Sequence, residues 1–556
     1  MATVAIPPSS ARKDTILSRR YIEGQIAEGK HVIIFDGRVL KVDAWINFHP
    51  GGDKSIKHMV GRDATDEINA LHSKEARQRM LSYQVGRIQG PWLNFLPPIH
   101  GGKFRPYTEE PCLTDEESSG LETSAPPSPI FDAVDGKTGA CRRKTSAATD
   151  TSVSTPVNEK AESKPFFLDA RTQEEIDFDT AKYPSLDMKN QEFIKRKYRE
   201  LDQKIRAEGL YQCNYFSYFV ECCRYALFVT LSYILLQWGW YASSAFFLGC
   251  FWHQLVFTAH DAGHMGITHN FHVDSVIGMV IADYLGGLSL GWWKRSHNVH
   301  HIVTNEPEHD PDIEHMPFFA VSHRFFNSLR STYYDRVMKF DAASRVLLRY
   351  QNYLYYPILM LARFNLYRLS WEYLLLGQAP KKGPAWWHRW FEFAGQVFFW
   401  YWFGYGVLYC TIPDWSSRFT FIMVSHIVTS PLHLQITLSH FAMSTADMGV
   451  RESFPQKMLR TTMDVDCPTW LDFVHGGLQF QAIHHLYPRL PRHNLRRAQK
   501  LVLEFCKDTG IPYAIFTFYD GNKEVLGKLG DVAKQLRLLE ECRKSCAEQG
   551  VLLDQH

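Results

Sequence analysis

Three short histidine clusters carry the chemistry legible in this chain: His260-Asp-Ala-Gly-His264, His297-Asn-Val-His300-His301 and Gln481-Ala-Ile-His484-His485. The first has i, i+4 spacing and the other two i, i+3, i+4, which on a helix puts the side chains on one face, a turn apart. Brought together, they offer seven imidazoles and one amide, too many ligands for one metal and a reasonable set for two. Imidazole suits iron, copper, zinc and nickel. A zinc hydrolase usually keeps three protein ligands, one open position and often a glutamate base, and no His-Glu-x-x-His motif is present. The carboxylate di-iron pattern needs paired Glu-x-x-His helices, and its one match, Glu306-Pro-Glu-His309, has a proline inside it. The clusters therefore read as a histidine-rich di-iron centre, with His260, His264, His297, His300, His301, Gln481, His484 and His485 as candidate ligands.

A second histidine pair stands apart from these. His49 lies in Trp45-Ile-Asn-Phe-His-Pro-Gly-Gly-Asp53, and His72 closes the helical stretch that starts at Asp63. Pro50-Gly51-Gly52 turns the backbone tightly beside the first histidine. Val32, Ile34, Trp45, Phe48, Ile68 and Leu71 are candidates for an apolar crevice. Over residues 21-100 the sequence resembles the cytochrome b5 family, and that resemblance implies haem b held between His49 and His72. Two neutral imidazoles on one iron leave no open position for oxygen, which suits electron transfer. Asp53, Asp63, Asp66 and Glu67 would form either an acidic rim for an electron-donating reductase or a solvated face.

The elements that must gather the clusters show in the apolar runs. Tyr225–His260, Phe393–Pro413 and Phe419–Ala446 contain no Asp, Glu, Lys or Arg, and a bilayer core takes about 20 residues per helix. Four transmembrane helices are expected, at about 219-238, 240-259, 393-413 and 419-438. Tryptophans crowd these runs (Trp238, Trp240, Trp252, Trp400, Trp402, Trp415), as in an interfacial belt. Residues 275–293, interrupted by Asp283, Gly286 and Gly287, read as interfacial or re-entrant. Two spans before His260 and two between His301 and His484 put every cluster on one membrane face. Lys and Arg are sparse in the connections 237–244 and 411–417 and frequent in 294–390 and 489–500, which makes that face cytoplasmic.

The expected fold class is thus an α+β haem domain fused to an all-α polytopic membrane domain, four transmembrane helices under a cytoplasmic helical cap. Its parts are an N-terminal arm (1-20), the haem domain (21-100), a flexible linker (101-165) rich in Pro, Ser, Thr, Glu and Lys, and the membrane domain (166-556). With 61 basic and 59 acidic side chains the formal net charge is +2, which gives no support to a nucleic-acid partner. The 11 cysteines form no Cys-x-x-Cys pair, so neither a disulfide framework nor a cysteine zinc site is expected. Arg12, Lys13, Arg19 and Arg20, without an apolar core, exclude a secretory signal peptide from residues 1-20.

Nearly all of residues 200–500, with the three clusters and the paired spans, resembles the membrane-bound fatty-acyl desaturase and hydroxylase superfamily. Gln481 at the head of the third cluster, and the fused haem domain, resemble its front-end branch. The resemblance implies two non-haem iron ions, O2 as co-substrate, and no separate catalytic acid or base. It also implies one further ligand at the end of the fourth span, best matched by His440 in Gln435-Ile-Thr-Leu-Ser-His440. Electrons would come from a separate NADH-dependent cytochrome b5 reductase at the endoplasmic reticulum. Asp261, Asp310 and Asp312 are candidates for orienting the ligands, and His253, His269 and His272 read as structural or as outer partners of the ligands. The segment Phe340–Arg345, Tyr353–Pro357 and Ala362–Trp371 is similar to fungal sphingolipid Δ8 desaturases, which implies the long-chain base of ceramide as substrate. By itself the same segment is an amphipathic, aromatic-rich surface stretch compatible with any acyl lipid. The alternatives are a front-end acyl-lipid (polyunsaturated fatty acid) desaturase, a lipid hydroxylase of the same superfamily, and a non-catalytic membrane-anchored haem carrier.

Overall fold

The computed structural model describes residues 13–107 and 165–548. Most of the expected arm and linker, residues 1–12 and 108–164, therefore lies outside the described residues. Near the N-terminus, strands β1 (Val32–Phe35), β2 (Arg38–Lys41) and β3 (Gln84–Arg87) form an antiparallel sheet in the order β1-β2-β3. Asp36 and Gly37 join the first two, both at positive φ (50° and 69°), as a two-residue hairpin turn matched to strand twist requires. Four helices flank the sheet: α1 (Arg19–Ala27), α2 (Asp53–Lys57), α3 (Thr65–Leu71) and α4 (Lys74–Met80). The Ser18 hydroxyl caps α1 by accepting from the Tyr21 N–H at 3.1 Å.

Alternation along β1 sorts its residues between two cores. Val32 and Ile34 join Ile22, Ile26, Val39, Val60 and Phe95. Ile33 and Phe35 join Leu40, Met59, Ala64 and Ile68, a cluster completed by Val299, Ile302 and Val303 from the other half of the chain. The strand residues on the face shared with Ile68 are thus the alternates of Val32 and Ile34, the ones expected there. The chain also stays packed past residue 100, where the composition suggests a tether. The Phe95 N–H donates to the Gly61 carbonyl at 3.0 Å, Phe104 sits edge-on to Phe95, and Arg105 grips Glu23 through two hydrogen bonds of 3.0 and 3.1 Å. Aromatic anchors and one buried carboxylate hold a segment that has little regular structure of its own.

The remainder is mainly helical, with two short two-stranded sheets, Arg330–Ser331 with Arg336–Val337 and Asp464–Asp466 with Ile515–Thr517. After α5 (Pro165–Lys182) and α6 (Met188–Ala207) come the antiparallel pair α7 (Tyr215–Gln237) and α8 (Tyr241–Gly263). Ser232 and Ser244 tie the pair together, each hydroxyl donating to the other residue's carbonyl. Helix α9 (Phe271–Met279) runs on through a π-helical turn to Leu285. The chain then bends by 118° into α10 (Leu290–Val303), so this stretch folds back. Three helices follow: α11 (Ala342–Arg349), α12 (Gln351–Met360) and α13 (Ala362–Leu375). Helix α14 (His388–Phe399) extends as π-helix to Thr411, and α15 (Trp415–Ile427) runs almost unbroken into α16 (Ser430–Phe441). Helices α17 (Phe454–Thr461), α18 (Gln481–Leu486), α19 (Leu495–Thr509) and α20 (Phe518–Glu548) complete the domain.

Helices occupy all four stretches where spans are expected. Two of them are by themselves long and apolar enough to cross a membrane: α7, with mean hydropathy 1.6, and the combined helix Trp415–Phe441, with 1.3. Helix α8 is less apolar because its buried face carries His253, Gln254, Thr258 and Asp261. It packs between α7 and α15, and Gly249 allows α15 to approach: a Cβ there would lie 2.7 Å from the Ser425 carbonyl oxygen. Exposed Phe216, Phe219, Tyr233, Trp238, Tyr401, Tyr409, Trp415 and Phe419 cover the outer surface of these helices, the pattern of a surface that faces lipid.

Candidate metal centre

Helices α8, α10, α16 and α18 bring the histidines to one place. His260 and His264 end α8, His297, His300 and His301 line α10, His440 lies near the end of α16, and His484 and His485 lie on α18. They fall into two groups. Ring nitrogens of His260, His264, His297 and His484 lie within 4.8 Å of one another, and so do those of His300, His440 and His485. His301 stands between the groups, its ring centroid 4.9 Å from that of His264 and 4.3 Å from that of His485. Gln481 is buried one turn before His484 and His485 on the same helix.

Groups outside this cluster hold several rings by Nδ1. Asp310 meets His300 Nδ1 at 2.9 and 3.0 Å, and Asp312 meets His297 Nδ1 at 3.4 Å. The Thr304 hydroxyl lies 3.3 Å from His485 Nδ1, and the Thr461 carbonyl 3.3 Å from His440 Nδ1. Such partners fix tautomer and ring orientation and turn the other nitrogen inward. Inward, His300 and His485 face each other through Nε2 at 3.2 Å, as His297 and His301 do at 3.1 Å. His264 Nε2, His301 Nδ1 and His484 Nε2 are buried without a hydrogen-bond partner, an arrangement that costs free energy unless a ligand takes the lone pair. Burial, and then the neighbouring imidazoles, hold His484 and His485 well below the usual histidine range, so both are neutral donors. The residues present fit two imidazole-bound metal ions.

Not every expected partner faces the cluster. Asp261 comes no closer than 3.9 Å to the His260 ring. Its carboxylate instead takes hydrogen bonds from Tyr218 on α7 and from Arg492, and Arg492 also donates to the Phe257 carbonyl at 3.0 Å and to Glu221. This buried network pins the end of α8 from the far side, and no local spacing announces it. His269 is held by the carbonyls of Met265 and Tyr211, both at 2.7 Å, a structural role. His426 stacks on Phe364 with centroids 4.6 Å apart, away from both groups.

In the N-terminal domain the His49 and His72 rings face each other with centroids 5.9 Å apart. His49 Nδ1 is bonded to the Gly52 carbonyl at 2.8 Å and His72 Nδ1 is 3.3 Å from the Ile68 carbonyl, which leaves both Nε2 atoms to the crevice. Burial lowers both imidazoles, His72 to about 3, so neutral nitrogens are presented, as bis-imidazole haem ligation requires. The acidic residues nearby are not a free rim. Asp66 and Glu67 are buried, Asp66 against Arg199 of α6, and Asp53 is paired with Lys57 and Arg295.

Residues 236–517, which hold all three clusters and His440, match the family described as Fatty acid desaturase. The chain belongs to that family. Residues 21–89, with His49 and His72, match the Cytochrome b5-like Heme/Steroid binding domain. Across 548 residues, 99% of this desaturase and 100% of the relative, it is 76% identical to the Delta 8-(E)-sphingolipid desaturase of Emericella nidulans. It is 49% identical to the protein of the same name from Kluyveromyces lactis, over 97% of the chain and 96% of the relative. The Delta(8)-fatty-acid desaturase of Helianthus annuus is 36% identical over 62% of the chain and 74% of its own length. This desaturase is an oxidoreductase with an N-terminal cytochrome b5-like domain and a helical domain whose apolar helices suit a membrane.

Proposed function

We propose that this desaturase introduces a double bond at the Δ8 position of the long-chain base of ceramide or a related sphingolipid. In this reading His49 and His72 hold haem b, and His260, His264, His297, His300, His301, His440, His484 and His485, with Gln481, hold two non-haem iron ions. The carrying observation is the pair of adjacent histidine groups gathered from four helices around helix α10, whose other face packs against the haem domain. The chain divides into a haem domain from about residue 21 and a membrane domain from about residue 166, with four spans along α7, α8, α14 with its extension, and α15–α16. The positive loops 294–390 and 489–500 support a cytoplasmic face for both domains, at the endoplasmic reticulum, where an NADH-dependent cytochrome b5 reductase supplies electrons.

Neither C–H of an unactivated methylene pair is acidic, so side-chain acid–base chemistry does not remove these hydrogens. Two bound irons supply the oxidising chemistry, with O2 taking two substrate hydrogens, two electrons and two protons to leave as two waters. The chain's own residues do the positioning. Asp310, Asp312, Thr304 and the Thr461 carbonyl orient the imidazoles. Val299, Ile302 and Val303 seat the haem domain on α10, where the donor stays close to the acceptor instead of diffusing. The apolar helices keep an alkyl chain out of water.

Expression in a yeast that lacks unsaturated long-chain bases, followed by mass spectrometry of long-chain bases and acyl chains, tests this reading. Δ8-unsaturated bases are expected with the native chain and none with His301→Ala. Unsaturation confined to acyl chains would replace the sphingolipid by an acyl-lipid substrate, and hydroxylated bases without a double bond would make the protein a hydroxylase.

A further inference from the structure

A third group of imidazoles, distinct from those above, gathers where the haem domain meets the desaturase domain. His58 follows α2 and is fully buried, His100 belongs to the packed segment after β3, and His309 stands in the loop after α10. Their ring nitrogens lie within 4.8 Å of one another. His58 Nδ1 and His100 Nε2 are 2.6 Å apart. The His100 and His309 rings stack with centroids at 3.8 Å, and His58 and His309 lie 5.5 Å apart. Three imidazoles from three separate segments, two of them on the haem side and one on the desaturase side, meet at one point.

The hydrogen bonding within this group is incomplete. A buried imidazole ordinarily gives its N–H to an acceptor and offers its lone pair to a donor. His58 shares one such bond with the His100 ring through Nδ1, and its Nε2 is buried with no partner. His309 Nδ1 lies 3.0 Å from the Thr332 hydroxyl, the outer contact that fixes a metal-binding ring and leaves Nε2 as the donor. Glu306 Oε2 lies 4.0 Å from that Nε2, within reach of a shared ion. Lys457 pairs with the same carboxylate and donates to the Ile302 carbonyl. Its charge offsets that of Glu306, so affinity rests on the three imidazoles.

We propose that His58, His100 and His309 form a binding site for a zinc-class divalent cation, with Glu306 as fourth donor, which staples the haem domain to the desaturase domain. Zinc bonds to imidazole nitrogen at about 2.0–2.1 Å in a tetrahedral set, which separates neighbouring donor nitrogens by roughly 3.3 Å. His58 and His100 must therefore open slightly from their present contact, a small rotation of the half-buried His100 ring. A His-and-carboxylate set favours zinc or a similar late first-row ion over magnesium or calcium. Because donors come from both domains, the free energy of binding adds directly to that of docking.

The test uses full-length protein in detergent, loaded with haem and iron, incubated with zinc sulfate and desalted before zinc, iron and haem are measured. One zinc per chain more is expected in the native protein than in His309→Ala or His100→Ala, with iron and haem unchanged. A zinc-dependent rise in melting temperature is expected in the native protein and absent from both variants. Equal zinc in all three proteins, or none in the native one, overturns the site. Should His309→Ala lose haem or iron, His309→Cys decides: zinc recovered with the thiolate supports the site, and zinc absent at full iron and haem content overturns it.

Discussion

Arg295 reaches Asp53 at 3.3 Å, and its side chain lies across Gly52, where a Cβ would come within 3.0 Å of Arg295 Cγ. Arg295 stands two residues before His297, and Gly52 three residues after His49, so one side chain joins the haem turn to the second histidine cluster. Gly51 is as close, since a Cβ there would meet Asn298 Nδ2 at 2.8 Å. Lys54 adds a polar clasp, donating to Asp335 at 2.6 Å and to the Thr332 carbonyl at 2.8 Å. Small residues at the turn let the two halves approach, and charges around it set the register.

Reversing the charge at Arg295 tests that docking. Arg295→Glu places a carboxylate beside Asp53, exchanging a partly buried ion pair for a repulsion of about 1 kcal/mol or more. Haem content is expected to stay at one per chain, while reoxidation of pre-reduced haem in the presence of substrate and O2 slows roughly tenfold, by stopped-flow absorbance. A native rate would mean that electrons leave the haem domain from another pose.

The two axial histidines carry a separate expectation. His49→Ala and His72→Ala each remove one of the facing imidazoles, so the Soret band is expected to vanish or shift to a weakly held form. Non-haem iron is expected to stay, because none of its candidate ligands lies in that domain. Loss of both metals together would point to a folding defect instead.

What the sequence reveals depends on how local each signal is. The i, i+3, i+4 spacings of His297-His300-His301 and Gln481-His484-His485 are local, and α10 and α18 realise them as helix faces. His440, which only the family resemblance suggests, stands with His300 and His485. The facing of β1 is not legible, because four consecutive apolar residues, Val32–Phe35, offer no alternation, and a one-residue change of reading exchanges the two faces. Asp66 looks exposed in sequence and is buried by Arg199 of α6, a partner that no window of sequence contains. Asp261 and Arg492, and likewise His58, His100 and His309, meet only through tertiary packing. The helix at 241–263 falls short of a span by apolarity because it carries the polar side chains that its neighbours satisfy.

Asp310 and Asp261 separate orienting a ligand from holding a helix. Asp310→Asn keeps an acceptor for one of the Asn305 and Asp312 N–H groups, which bond to separate carboxylate oxygens, and removes the charge behind His300. A loss of 10–100-fold in iron affinity or turnover is expected, by iron analysis and product formation, with a stability loss of about 1–3 kcal/mol from the one N–H left without an acceptor. Asp261→Ala removes one of the two carboxylates on the buried Arg492 guanidinium, which keeps Glu221, and is expected to cost about 1–3 kcal/mol of stability, seen as a lower melting temperature before any specific loss of iron.

Glu67 gives the haem domain a pH dependence of defined sign. Burial on α3 raises its carboxyl to about 7, although Arg62 pulls the other way, and Asp66 beside it is raised as well, again by burial. A carboxyl whose folded-state value exceeds its unfolded value of about 4.5 stabilises the fold while protonated. That contribution is fully present below about pH 4.5 and is lost as the pH rises through 7. The gap is worth roughly 3 kcal/mol. The melting temperature of the haem domain, followed at the Soret band, is therefore expected to decline between pH 5 and 8. In Glu67→Gln, which is neutral at every pH, much of that slope is expected to disappear, with the remainder left to Asp66. An identical slope in the two proteins would show that Glu67 ionises as it does in water.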